Sequence, residues 1–193
     1  PANLFHVMRR QVHRDFRKPL IHLFSKSLLR HPEARSSLAD MGPGTSFQRY
    51  IPDPHHTEGK DALVPDDQIK RHIITCGQSY YALLNYRREQ KRDDVAISRI
   101  EQLSPLDYES IIKSIDRYPN ATLVYAQEEP INMGGWTYLS PRLRMACNHS
   151  ENHKGKEFIV SARPPSCSVA TGHKGAHQAE LQAYLSGAFE LEL

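Results

Sequence analysis

His173 and His177 stand four apart in HKGAH, a spacing that places two imidazoles on one helix face, as in the HExxH zinc site. Lys174 occupies the position where that site needs its general-base Glu, and Gly175 interrupts the helical run, so the pair reads as a helix entry with surface histidines. Gly42-Pro-Gly44-Thr45 and Gly172-His-Lys-Gly175 are the Gly-rich stretches that invite a phosphate reading. Neither has the GxxxxGK[ST] spacing or a GxGxxG after a strand, and both read as turns. Cys147 and His149 are close in sequence, but no Asp or Asn completes a nucleophile and base pair. Glu128-Glu129, inside QEEPINMGGW, is the most informative stretch. Adjacent carboxylates on an extended chain point to opposite sides, so they do not form an acid/base couple. They are expected to accept backbone N–H groups or to pair with arginines such as Arg99, Arg142 or Arg144. Trp136 is expected to anchor packing or an interface.

Composition narrows the class of function. The chain has 193 residues, 25 Lys+Arg against 22 Asp+Glu and a net charge of +3. That length can bury a sizeable core, and that excess is too small for a dedicated nucleic-acid binder. The local cluster Arg9, Arg10, Arg14, Arg17 and Lys18 therefore reads as a solvated helix face. No run approaches the roughly 18 apolar residues of a membrane span. Cys76, Cys147 and Cys167 are too few and too far apart for a zinc site or a disulfide scaffold, and read as reduced intracellular thiols. The start Pro-Ala-Asn, without Met or a signal segment, is read as a truncation of a longer parent.

Periodicity supplies the elements that would position these residues. Leu4, Phe5, Met8, Val12 and Phe16 predict a helix to about Phe16. A buried strand is expected at Pro19–Phe24 and a small helix at Pro32–Ala39, broken by Met41-Gly-Pro-Gly44. Residues 52–67, rich in Pro and acidic side chains, read as a linker or long loop. Beyond it strands and helices alternate: strand His72–Cys76, helix Ser79–Arg92, strand Val95–Ile100, helix Leu106–Tyr118. Strand Ala121–Gln127, helix Trp136–Ala146, strand Glu157–Ala162 and helix Gly175–Phe189 follow. That alternation predicts an α/β fold, a mostly parallel sheet with helices on both faces. In it the Glu128 stretch lies at a carboxyl edge, where open parallel sheets place ligands and interfaces.

Four stretches, HVMRRQVHRDFRKPLIHLFSKSLLRHPEARSSL, DVAISRIEQLSPLDYESI, YPNATLVYAQEEPINMGGWTYLSPRLR and RPPSCSVATGHKGAHQAELQAYLSGAF, are together similar to the carboxyl end of the E1 component of 2-oxoglutarate dehydrogenases. KPLI with KSLLRHPEARS, RIEQLSP and QEEP carry the resemblance, and PANLFHV and IPDPHH resemble eukaryotic members. The resemblance implies a homodimeric enzyme of the mitochondrial matrix that uses thiamine diphosphate and Mg²⁺. Its parent complex would include an E2 dihydrolipoyl succinyltransferase, which takes succinyl on its lipoyl group, and an E3 dihydrolipoyl dehydrogenase. It also implies that residues 1–50 are the tail of a pyrimidine-binding α/β domain, 51–69 a linker, and 70–193 a transketolase-type C-terminal domain. The metal and cofactor motifs of that family would lie upstream of Pro1. No catalytic, cofactor-binding or metal residue is therefore expected here, and the chain alone is expected to be inactive. Arg30, His31, Glu128, Glu129, Asn132, Trp136 and Arg142 are the residues expected at interdomain or dimer interfaces. A 2-oxoadipate dehydrogenase E1, or an α/β binding module without the chemistry, are the alternatives.

Overall fold

The computed structural model describes residues 1–190, and the chain divides into two compact units, Pro1–Gln48 and Arg49–Leu193. In the first, helix α1 runs over Ala2–His13. Asn3 and Gln48 exchange two hydrogen bonds of 3.0 and 2.9 Å, and the buried His6 bonds through Nε2 to the Asp40 carbonyl at 2.8 Å. Pro19–Phe24 is not a strand but has no regular structure. A strand exists only with a partner for its backbone groups, and in this unit Ile21 and Leu23 remain 83% and 89% exposed. The helix expected at Pro32–Ala39 is likewise absent. Its place is taken by two short 3₁₀ turns, Lys26–Arg30 and Leu38–Met41. Ser37 explains the second start, since its hydroxyl accepts the Ala39 N–H while Asp40 accepts the Ser37 N–H, a capping box that begins a helix after it rather than before.

The second unit carries a five-stranded sheet. Its strands are β1 (Tyr50–Ile51), β2 (Arg71–Thr75), β3 (Val95–Ile100), β4 (Thr122–Pro130) and β5 (Ile159–Arg163), in the order β1-β3-β2-β4-β5. All pairs are parallel except β1 with β3. Helices α2 (Ser79–Glu89), α3 (Tyr108–Asp116), α4 (Trp136–His149) and α5 (Lys174–Glu190) cover both faces. On one face Ile111, Ile115, Leu139 and Leu143 of α3 and α4 pack on Ile74, Ile100, Leu123 and Tyr125. On the other, Leu83 and Tyr86 of α2 and Tyr184, Leu185 and Phe189 of α5 pack on Ile73, Val95, Ile97 and Val124. Burial on both faces explains the adjacent apolar residues Ile73-Ile74 in β2, Val95-Ala96-Ile97 in β3 and Leu123-Val124-Tyr125-Ala126 in β4, and each fully buried Ile, Leu or Val contributes about 1.5–3 kcal/mol.

Residues 51–69 belong to this unit and do not run free as the expected linker. Leu63 and Ile69 join a core cluster with Ala96, Tyr118 and Ala121. Asp53 is 3% exposed; it receives the Arg87 guanidinium at 2.8 Å and the Ile97 N–H at 2.8 Å. The Pro and Asp content that suggested a linker therefore marks a segment pinned to the sheet by buried polar contacts.

Candidate functional site at the carboxyl edge of the sheet

The order β3-β2-β4-β5 contains a reversal of direction: the chain leaves β2 toward β3, then crosses back to β4 on the opposite side. At such a point the loops at the carboxyl ends of β2 and β4 part and leave a crevice. The crevice is present, with a volume of about 480 Å³, and is lined by Gln78 after β2, Glu128 and Glu129 at the end of β4, Arg163 at the end of β5, Val169, Ala170 and Thr171 from the following loop, and His177 of α5. Both acidic residues contribute to the cleft lining; the Glu128 carboxylate turns to Gln78, whereas the Glu129 Cβ faces Gly134 beside the Gln127 side chain.

Arg163 organises the cleft floor. It is 7% exposed. Its Nε donates to the Glu128 carbonyl at 2.6 Å, one terminal nitrogen reaches Thr171 Oγ1 at 2.9 Å and Glu180 Oε2 at 3.1 Å, and the other reaches the Val169 carbonyl. One guanidinium thus ties β4, the 164–173 loop and α5 together. The Glu128 side chain accepts from Gln78 Nε2 at 2.9 Å. The arginines first considered for the carboxylates have other partners. Arg99 sits 4.4 Å from the Tyr80 ring centroid and beside Glu101, Arg142 lies 3.6 Å from the Tyr138 ring centroid, and Arg144 pairs with Glu157 at 3.0 Å.

Gln127 explains the shape of the adjoining QEEPINMGGW turn. The residue is 2% exposed; Nε2 donates to the carbonyls of Pro130 at 3.0 Å and Met133 at 2.8 Å, while Oε1 accepts the Trp136 N–H at 2.9 Å. That last contact serves one of the orphan donors at the start of α4. Gly134 has φ +68°, and a Cβ there would stand 3.0 Å from Gln127 Oε1; a Cβ on Gly135 would stand 2.7 Å from the Tyr125 hydroxyl. The indole of Trp136 stacks on Tyr125 at 5.7 Å.

The other residues singled out from sequence scatter around this site. Asn132 exchanges hydrogen bonds of 2.9 and 3.0 Å with the Ser166 backbone and so fastens two edge loops together. Arg142 stays on α4. Arg30 and His31 belong to the amino-terminal unit, where Arg30 is exposed and His31 Nδ1 accepts the Glu33 N–H at 3.2 Å. His177 reaches the cleft, whereas His173 precedes α5 and its Nδ1 accepts the Ala176 N–H at 3.4 Å. Thr45 closes the Gly42 stretch as a turn through its hydroxyl, 2.6 Å from the Gly42 carbonyl. His149 turns back to the Met145 carbonyl at 2.9 Å, and burial pushes the Cys147 thiol up to about 11, so no nucleophile and base face each other there. Sequence reasoning missed Arg163 and Gln127. A lone Arg after a strand and a Gln before two carboxylates carry no spacing signal.

The cleft does not fit thiamine diphosphate. The Glu128 carboxylate on its wall repels a diphosphate, its buried cation already spends four hydrogen bonds on protein acceptors, and among the described residues no group of three His, Cys, Asp or Glu could hold a metal ion. No helix among them is long and apolar enough to cross a membrane.

Fold and site together define a doubly wound α/β domain with a crevice at its topological switch point. The family described as 2-oxoglutarate dehydrogenase C-terminal matches residues 35–189, and the chain belongs to that family. It is 41% identical over 191 residues, 97% of its length, to the mitochondrial 2-oxoglutarate dehydrogenase of Schizosaccharomyces pombe, and 43% identical over 98% of its length to that of Saccharomyces cerevisiae. The 2-oxoglutarate dehydrogenase E1 component of Brucella abortus is 40% identical over 97% of the chain. The chain spans 18% of the two yeast proteins and 19% of the bacterial one. Among solved structures it is similar to a split-gene transketolase described as an inactive β4 tetramer, with TM-score 0.44, 12% identity, 69% of this chain covered and 44% of the other.

Proposed function

We propose that this chain is the carboxyl-terminal part of a 2-oxoglutarate dehydrogenase E1 component, a mitochondrial-matrix enzyme that decarboxylates 2-oxoglutarate with thiamine diphosphate and Mg²⁺ and passes succinyl to the lipoyl group of E2. The observation that carries the reading is the 41–43% identity to named 2-oxoglutarate dehydrogenases along at least 97% of the chain. Within that enzyme the region is architectural. Residues 1–50 complete the preceding pyrimidine-binding domain, where the bare Pro19–Phe24 run would find its strand partner, and the sheet of β1–β5 packs against neighbouring domains of a homodimer. Arg30, His31, Glu128, Glu129, Asn132, Trp136 and Arg142 are proposed to face those neighbours. The cofactor sits elsewhere in the protein, and E2 and E3 are its partners in the complex.

Two measurements on the full-length protein test this. Purified with E2 and E3, it is expected to reduce NAD⁺ with 2-oxoglutarate in preference to 2-oxoadipate; the opposite preference would reassign it to the 2-oxoadipate enzyme, and no activity with either would leave the binding-module reading. Glu128→Lys removes the acceptor that Gln78 now holds and reverses the charge of the cleft wall. It is expected to lower the dimer fraction or the turnover several-fold; unchanged sedimentation and turnover would remove Glu128 from the interface.

A further inference from the structure

At the opposite, amino-terminal end of the sheet, three histidines from three separate segments meet one tyrosine. Tyr118, 1% exposed, follows α3. His55 stacks on its ring at 6.0 Å, His72 of β2 meets the ring edge-on at 5.0 Å, and His153, in the loop after α4, bonds through Nε2 to the Tyr118 carbonyl at 3.0 Å. His72 and His153 are both 0% exposed. We propose that His72 and His153, packed with His55 around Tyr118, form a proton-sensitive latch, which holds the segments 52–69 and 150–156 against the sheet while the imidazoles of His72 and His153 are neutral and releases them when those two rings gain protons.

The hydrogen bonding explains why a proton would break it. His72 Nε2 lies 2.8 Å from Ser98 Oγ, which also accepts the Asp53 N–H at 3.1 Å. The Nδ1 atoms of His72 and His153 have no partner among the described residues. Charging either ring adds an N–H with no acceptor in a dry site, a costly arrangement. No carboxylate there accepts from the Nδ1 atom of His72 or of His153. Asp53 is committed to Arg87, the Ile97 N–H and the His55 N–H. Asp66 holds Arg117 at 2.9 Å and lies 3.3 Å from His55 Nδ1. Asp116 accepts from the Ser150 hydroxyl and from the Glu151 and Asn152 amides. The remaining groups facing the cluster do not help a cation: the Arg117 guanidinium sits 5.4 Å over the Tyr118 ring, Lys156 follows His153, and the Tyr50 hydroxyl donates to Ser114. Burial accordingly pushes His72 down to about 3, and lowers His153 as well.

The direction of the effect follows. The open form, with imidazoles near their ordinary value of about 6.5, binds more protons than the closed form. Closed-state stability from this cluster is fully present above about 6.5 and declines as pH falls below it. At pH 5.5 the opening equilibrium should grow about tenfold through His72 relative to pH 7.5, and further through His153.

Hydrogen–deuterium exchange on the full-length protein at pH 7.5 and 5.5, corrected for the intrinsic exchange rate at each pH, reads this directly. Peptides from 52–69 and 150–156 are expected to lose more than about tenfold of their protection while α5 keeps its own. His153→Gln should cut the pH effect to about tenfold, and His72→Gln with His153→Gln should abolish it. Unchanged protection in both segments, an equal loss throughout the sheet and α5, or an undiminished pH effect in the folded His153→Gln protein would overturn the latch.

Discussion

A single side chain decides the shape of the carboxyl edge. Gln127 supplies both donors and the acceptor that close the 128–136 turn, and Gly134, which lacks a Cβ, leaves room for its side chain, while Gly135 leaves room for the Tyr125 hydroxyl. Gly135→Ala would drive a methyl into the Tyr125 hydroxyl, itself buried and held beside Cys76 Sγ at 3.5 Å. The expected cost is about 1–3 kcal/mol, measured as a lower urea midpoint at unchanged slope; a midpoint within error of wild type would show that the turn yields easily. QEEP and GGW were legible in sequence as a site because Gly pairs and adjacent carboxylates are unusual. Gln127 and Arg163 were not, because a buried amide or guanidinium looks like any surface one until its partners are known.

At the scale of elements, the pinned 52–69 segment separates what sequence could and could not say. The ion pair of Arg87 and Asp53 has side-chain exposures of 4% and 2%, so Asp53→Ala would strand a buried cation and two backbone donors. A loss of about 3–5 kcal/mol is expected, seen in denaturant unfolding; a loss below about 1 kcal/mol would mean that the pair behaves like a surface bridge. Replacing both partners by apolar residues of matching volume should recover much of the loss. Nothing in Pro52, Pro54 and Pro65 announced this, since Pro and Asp signal turns whether the turn is exposed or buried. β2, β3, β4 and β5 and the four helices of the second unit were legible within a few residues, because helical spacing and apolar runs are local signals. β1 was missed because two residues carry no period. Pro19–Phe24 and Pro32–Ala39 failed for opposite reasons. The first has the apolar pattern of a strand without a partner in its unit, and the second lacked enough apolar positions to outweigh the cap at Ser37.

For the whole molecule, two ends of one sheet carry different duties. The carboxyl edge bears the acidic cleft and its Arg163 brace, proposed to meet other domains; the amino edge bears the histidine latch. The acidic wall and the committed Arg163 make the carboxyl-edge cleft a poor cradle for a diphosphate, and the proposed function puts the cofactor outside these residues. The most direct test of that claim is a calorimetric titration of the 193-residue chain with thiamine diphosphate and Mg²⁺, beside the full-length protein, with far-ultraviolet circular dichroism confirming that the shorter chain is folded. Saturable heat from the full-length protein and none from the folded chain is the predicted result. Saturable binding by the chain itself would contradict that prediction and place a cofactor site within these residues.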